Sequence, residues 1–354
     1  MELPFLKKKE VMALDIGSSS IKLLQLRQAK KGWELAKLGI AYLPPEAIVD
    51  GSIIDSMTVT NTIAALVKEE NVKTKDAVSS LTGHSVIIKK VSLPAMTEEE
   101  LGESIQWEAE QYIPFPMTDV NIDFQIMGEV AAGKGQMDVM LVAVKKDVIN
   151  DYVNVIREAG LNPVVVDVDS FALENMLEIN YTFAPGENVV MVNIGASITS
   201  ISILVGGVTA FTRSIPLGGN QFTEEIQRNF NITFKEAEDI KLGHVKGRFE
   251  QSELNKALGS VSSNVAAEVK RSVDFFLGGN PAVIVNKIFL SGGGVKVAGL
   301  KETVQEKMDM IVEVANPFNG ITCNPKVFDP EKMKDLAPHF GVAVGLATRK
   351  LGDR

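Results

Sequence analysis

The chain has 354 residues, 45% hydrophobic and 23% charged, and carries a formal net charge of −9 at pH 7. That length accommodates two domains with a core each, and the acidic balance excludes the bulk positive field of a nucleic-acid binder. A single cysteine, Cys323, excludes a disulfide framework and fits a reducing compartment, while His84, His244 and His339 stand too far apart to suggest a transition-metal site.

No leader segment with a cleavage site opens the chain. Lys7, Lys8 and Lys9 follow Phe5 and Leu6 and read as a solvated tail or as a short contact with an anionic membrane surface. Residues 11–26, VMALDIGSSSIKLLQL, predict strand, tight turn, strand. A capping box at Thr97–Glu100 opens a helix with Leu101, Ile105, Ala109 and Tyr112 at helical spacing, ended by Pro114 and Pro116. Strands around a Gly133–Gly135 turn are expected over 117–145. A helix over 147–159 stops at Gly160, and a strand over 164–168 and a helix over 171–178 follow.

Residues 189–204, VVMVNIGASITSISIL, repeat the grammar of the first hairpin, as two similar domains would. This stretch, continued to Gly207, is the most apolar of the chain. Asn193, Ser197, Thr199, Ser200 and Ser202 still make it too polar for a bilayer span. Helices are expected near 220–230, from Thr233 and over 260–277, then a strand over 286–290, a glycine turn and an apolar helix over 339–350. Strands mixed with helices in two halves predict an α/β bilobal protein.

A lone Asp-x-Gly-Ser turn is explained equally well as plain structure, because Asp and Gly favour turns. Read as chemistry, Gly17 lets the backbone approach a phosphate chain, and the N–H groups and hydroxyls of Ser18, Ser19 and Ser20 face its oxygens. Lys22 adds a point charge, and Asp15 would hold Mg²⁺ through water, since that ion keeps several waters and takes few carboxylates. A second turn at Asn193, Gly195, Ala196 and Ser197 would clasp the same chain from the other side. A third, FLSGGGVKVAGL at 289–300, would admit a flat base and ribose against the bare backbone of Gly292, Gly293 and Gly294. SGGG alone fits any strand-to-helix turn; the order and separation of the three carry the reading.

That order resembles the actin, sugar-kinase and Hsp70 superfamily over nearly the whole chain. Within it, LDIGSSSIKLLQL, LPAMTEEELGESIQWEAEQYIPFP, VDVDSFALEN and IPLGGNQFTEEI resemble the PilM family of type IV pilus assembly proteins, with the cell-division protein FtsA as a cousin. The resemblance implies a bilobal actin-like, ribonuclease H-like duplicated ATPase fold with an FtsA-type inserted subdomain. It places subdomain 1A at 1–85, 166–187 and 338–354, the insertion 1C at 86–165, 2A at 188–215 and 285–337, and 2B at 216–284. It implies ATP or ADP with Mg²⁺, and adds Gly218, Gly219, Glu238, Lys241 and Lys296 to the nucleotide-binding set. Glu238 and Lys241, in FKEAEDIKLG, would lie beside adenosine; the plainer reading of that pair is an exposed i, i+3 ion pair.

The implied partner is the short N-terminal cytoplasmic tail of the inner-membrane protein PilN, lying in a groove against the insertion. Other pilus platform proteins, motor ATPases and self-association into a ring are further implied partners. The protein would then be cytoplasmic and held at the inner membrane through that partner. Trp107 and Tyr112 read as core or as groove lining. One departure matters: the superfamily's second turn usually begins with Asp, and here Asn193 brings no charge to Mg²⁺ and no base. Asp169 positions an attacking water or caps its helix. Nucleotide binding with slow turnover is therefore expected. A sugar-type kinase would need a catalytic Asp near the second turn. An FtsA-like filament protein would need an amphipathic anchor, for which GLATRKLGDR is too short and polar. An Hsp70-like chaperone would need a substrate domain beyond residue 354.

Overall fold

The computed structural model describes residues 10–30, 32–129, 135–245 and 247–353. Lys7 to Lys9, and Gly133 and Lys134 of the expected turn, lie outside that set. Strand Met12–Ile16 is buried along its whole length, as expected of a central strand covered on both faces. It pairs antiparallel with Ser20–Gln28, which pairs antiparallel with Trp33–Tyr42. On its other side Asp76–Leu81 and then Asn162–Val168 run parallel to it, and the short strand Ile321–Thr322 closes the far edge of this six-stranded sheet.

The second sheet repeats this plan. Val189–Ile194, Thr199–Val205 and Val208–Ile215 form an antiparallel meander, and Lys287–Ser291 and Ile311–Val314 extend it in parallel from Val189–Ile194. Each half is thus three antiparallel strands with two parallel strands added on the far side of the first, which is the duplication the two hairpins announced.

Helices Asp169–Asn180 and Gly341–Leu346 share one apolar core with residues of both sheets, among them Ala13 and Leu24 of the first and Met191 and Phe289 of the second. The two helices cross so closely that a Cβ on Gly345 would collide with the carbonyl of Ala172. The apolar helix expected over 339–350 is shorter than its pattern. A 3₁₀ turn, Ala337–Phe340, precedes it, and beyond Leu346 the chain turns so that Arg349 Nε reaches Asp167 Oδ2 at 2.7 Å. Helices Gly219–Phe230 and Phe234–Lys241 pack on the second sheet with Gln251–Gly279. That last helix begins earlier than its expected start at 260, because Ala257 and Leu258 already face the core.

The insertion is a three-stranded antiparallel sheet, with Gln136–Lys145 between Val86–Pro94 and Val120–Glu129. Helix Glu98–Glu110 covers it, started by the expected capping box: Glu100 N donates to Thr97 Oγ1 at 3.2 Å and Thr97 N to Glu100 Oε2 at 2.8 Å. Its core, with Leu101, Ile105, Val139 and Leu141, is separate from the lobes. Helix Lys146–Glu158 instead sends Val148, Tyr152, Val155 and Ile156 into the first lobe, and strand Asn162–Val168 joins that lobe's sheet. Packing therefore moves the end of the insertion from residue 165 back to Lys145. Tyr112 packs on the insertion core while Trp107 points to solvent, so neither single reading covers both aromatics.

Candidate functional site

The two hairpin turns face one another and close in the same way. Gly17 N donates to Ser20 O at 3.1 Å, and Gly195 N donates to Ile198 O at 2.9 Å. Strand register opposes Asp15 to Lys22 in the first and Asn193 to Ser200 in the second. Lys22 Nζ lies 3.3 Å from Asp15 Oδ2, with both side chains largely buried. Asn193 makes no side-chain hydrogen bond among the described residues, and its Oδ1 crowds Gly292. Helix Gly219–Phe230 starts directly against the second turn: Gly219 N donates to Gly195 O and Asn220 N to Ala196 O, each at 2.8 Å.

The glycine turn after strand Lys287–Ser291 is explained by packing. Cβ atoms on Gly292 and Gly294 would collide with Ile194, and one on Gly293 would sit 2.6 Å from the His339 ring. Gly292 also has φ +88°, which favours glycine. Gly292 and Gly294 therefore have a packing reason to be glycine besides the expected one of admitting a base, since their Cβ sides are filled by the neighbouring strand. Their remaining surface still lines the cavity described below.

Glu238 and Lys241 are no exposed pair. The Lys241 side chain is 8% exposed; its Nζ lies 2.7 Å from Glu238 Oε2 and donates to Gly219 O at 3.0 Å and Thr223 Oγ1 at 2.9 Å. Thr223 Oγ1 in turn donates to Glu238 Oε2 at 2.5 Å. This network ties the Phe234–Lys241 helix to the start of the helix beside the second turn.

A cavity of about 280 Å³ lies between the lobes. Asp15, Gly17, Ser18, Ser19, Ser20 and Lys22 line it from one side, and Asn193, Gly195, Ala196, Ser197 and Gly219 from the other. Glu238, Lys241, Gly292, Gly293, Gly294, Lys296 and Asp169 complete the expected set on its wall. Gly218 is the exception: a Cβ there would sit 2.7 Å from the carbonyls of Gly195 and Ala196, so it packs behind the turn.

Residues unforeseen in the sequence join the wall, among them Thr82, Tyr152, Asn220, Asp335 and His339. Asp335 Oδ1 takes Lys296 Nζ at 2.6 Å. Burial, with Lys22 and Lys296 nearby, pulls the His339 imidazole down to about 4, so it is neutral at physiological pH. A lone histidine after Pro338 carries no local signal, because only the fold brings it under Gly293.

Asp169 is the first residue of its helix, but Val168 is the N-cap position and no side chain caps it. The cap reading is therefore set aside: the Asp169 carboxylate accepts from Ser80 Oγ at 2.6 Å instead. Burial, and then the negative charge of Asp15, push it up to about 7 against the opposing effects of Ser80 and Lys22. A second cavity of about 250 Å³ shares Thr82, Asp169 and Ser200 with the first. It runs on between the first strand of the insertion, at Val86 to Lys89, and the strand edge at Thr212 to Ser214.

Duplicated sheets, paired turns and an inter-lobe cavity define an actin-like ATPase fold with an inserted subdomain. The model of the type IV pilus assembly protein PilM family matches residues 13–351. The chain belongs to that family. A solved structure of a PilM–PilN type IV pilus biogenesis complex is similar at a TM-score of 0.87 and 29% identity, over 98% of this chain and all of that one. MreB5 of Spiroplasma citri bound to ADP shares the fold at a TM-score of 0.51 and 15% identity, over 93% of this chain and 98% of that one. The cell division protein FtsA of Bacillus subtilis is 23% identical over 261 residues, 66% of this chain; the match spans 58% of that relative, less than two thirds of its length. Among the described residues no helix is long and apolar enough to cross a membrane.

Proposed function

We propose that the chain is a nucleotide-loaded scaffold of the type IV pilus machinery, in which ATP or ADP with Mg²⁺ bridges the two lobes. The observation that carries this is one cavity between two equivalent turns, into which Lys22, Lys241 and Lys296 converge although the chain's net charge is −9. Each of these lysines is paired with a carboxylate of the same wall, Lys22 with Asp15, Lys241 with Glu238 and Lys296 with Asp335. A phosphate chain is therefore fitted by the backbone of the two turns and by lysines that can exchange a carboxylate for phosphate. Among the described residues no group of three or more His, Cys, Asp or Glu could hold a metal by itself. Asp15 and Asp169 on the wall fit Mg²⁺, an ion that completes its shell with water and phosphate oxygen.

In this reading the N–H groups within the two turns other than those of Gly17 and Gly195, which close the turns, would hold phosphate oxygens. Lys22 would pair with phosphate, Asp15 would hold the hydrated ion, and Glu238 and Lys241 would lie beside the ribose. The bound nucleotide supplies the phosphoanhydride. Asp169, held near neutral pH, orients a water, and Asn193 supplies neither charge nor base, so turnover is slow.

Similarity to the PilM–PilN complex supports an N-terminal tail of a PilN-type inner-membrane protein as partner, with the chain held on the cytoplasmic face through it. The groove we assign to the tail is the second cavity. Strands Val86–Pro94 and Val208–Ile215 each end their own sheet there, so an extended tail finds unpaired main-chain groups on either side. Thr82, Asp169 and Ser200 stand between tail and nucleotide, so occupancy of one site alters the wall of the other.

Calorimetric titration with ATP and Mg²⁺ tests the site. Binding by the wild type and loss of its Mg²⁺-dependent part in Asp15→Ala are expected; equal affinities sink the assignment. Hydrolysis or phosphotransfer at ordinary kinase rates would overturn the scaffold reading in favour of a sugar-type kinase.

A further inference from the structure

The outward face of the insertion's helix holds residues that neither cavity uses. Helix Glu98–Glu110 buries Leu101, Ile105 and Ala109. Glu99, Glu103, Trp107 and Glu110 are all exposed, and their spacing puts them in a row on one face of the helix. Trp107 is 79% exposed, more than any other large apolar side chain among the described residues.

This face is costly as it stands. The side chains of Glu99, Glu103 and Glu110 form no ion pair or hydrogen bond among the described residues, and Glu99 and Glu103 are like charges at i, i+4. Glu110 adds negative charge at the helix end where the dipole is already negative, and the last turn holds no basic residue. The charge extends through the insertion: residues 86–145 contain ten Asp and Glu against four Lys and no Arg. One small subdomain thus carries six of the chain's nine net negative charges.

We propose that this face docks a cationic segment of a partner protein, an Arg- or Lys-bearing stretch whose cations lie on the Trp107 indole and between the flanking carboxylates. Tryptophan is the best aromatic partner of a cation and a frequent anchor of interfaces. The acidic field around it speeds the approach of a basic partner. The same field repels anionic lipid, which makes the partner a protein and turns this face away from the membrane.

The test uses the full chain and two labelled peptides, one of repeating Leu-Arg pairs and its Leu-Gln counterpart, with fluorescence anisotropy as readout. The cationic peptide is expected to bind, to weaken as salt is raised, and to lose about tenfold or more in affinity in both Trp107→Ala and Glu103→Lys. The neutral peptide is expected not to bind. Both residues are on the surface, so circular dichroism should match the wild type. Cationic binding that survives Trp107→Ala unchanged is diffuse charge attraction and overturns the proposal, as do equal binding of the neutral peptide and no binding at all. No residue in the test lines the nucleotide cavity, so the outcome is independent of the proposed nucleotide site.

Discussion

The turn at Gly17 and the turn at Gly195 close with the same hydrogen bond, and each is flanked by a residue pair in the same strand register. In the first, that pair is Asp15 with Lys22, an ion pair held at 3.3 Å; in the second, it is Asn193 with Ser200. Ser200 Oγ lies 3.1 Å from Thr82 Oγ1, on the opposite lobe, and carries no charge to a ligand. Duplication has therefore kept the backbone and divided the electrostatics. One turn can bind a hydrated cation and an anion; the other can offer N–H groups and a link between the lobes.

The largest expected effect is on the charged side. Lys22→Ala should lower ATP affinity by roughly 10- to 150-fold, the worth of a hydrogen bond to a charged group at ~1.5–3 kcal/mol. Asp15→Asn should remove the Mg²⁺ dependence of the affinity and leave Mg²⁺-free binding intact or improved, because it releases Lys22. Titrations with and without a chelator check both, and an unchanged Mg²⁺ dependence in Asp15→Asn contradicts the division of labour.

Stability separates the first turn from the packed glycine turn at Gly292–Gly294 next. Gly294→Ala presses a methyl into Ile194 and should cost about 1–3 kcal/mol in denaturant unfolding. At Gly17 a new Cβ would meet the Lys22 ammonium at 3.1 Å, the far end of a flexible side chain, and the Ser20 carbonyl at 3.3 Å, which need give by only a few tenths of an ångström. Gly17→Ala should therefore change stability by about 0.5 kcal/mol or less while weakening ATP binding. A Gly17→Ala protein that unfolds as readily as Gly294→Ala would show that the first turn, too, is packed rather than open.

Asp169 offers a readout in pH. Its folded value of about 7 stands above the ordinary carboxylate range, so the folded state favours the proton. The corresponding stability is fully present below about pH 4 and is lost as pH rises through 7. Asp169→Asn should flatten that decline and raise stability at pH 8 by on the order of 1 kcal/mol. Melting curves across pH 4 to 8 decide it, and a variant with the wild-type pH profile removes Asp169 as the source.

Much of the fold was legible because its signals are local. Alternating apolar residues around Gly17 and Gly195 mark both hairpins, and Thr97 with Glu100 marks a helix start. What the sequence hid is set by distant neighbours. Gly292 and Gly294 look like open backbone until Ile194, nearly a hundred residues away, fills the space beside them. The burial of Lys241 depends on Thr223 and Gly219, and His339 joins the cavity wall only because the 3₁₀ turn Ala337–Phe340 passes beneath the glycine turn. The boundary at Lys145 follows from which core Tyr152 enters, and no composition shift marks it.

The smallest effect is expected at Asn193, and it tests whether the second turn is neutral by design. Its amide makes no hydrogen bond among the described residues and stands over Gly292 within the cavity. Asn193→Ala should therefore shift ATP affinity only about twofold, far less than Lys22→Ala. Asn193→Asp keeps the shape and adds a carboxylate facing Asp15 and Asp169 across one cavity. Without Mg²⁺ that added negative charge should weaken nucleotide binding; with Mg²⁺ it gives the ion another ligand and should restore affinity and raise the hydrolysis rate. Single-turnover hydrolysis with and without Mg²⁺ measures the gain. If Asn193→Asp neither restores Mg²⁺-dependent binding nor speeds hydrolysis, the missing charge is not what holds turnover down, and the contrast between the turns lies in their backbone surroundings instead.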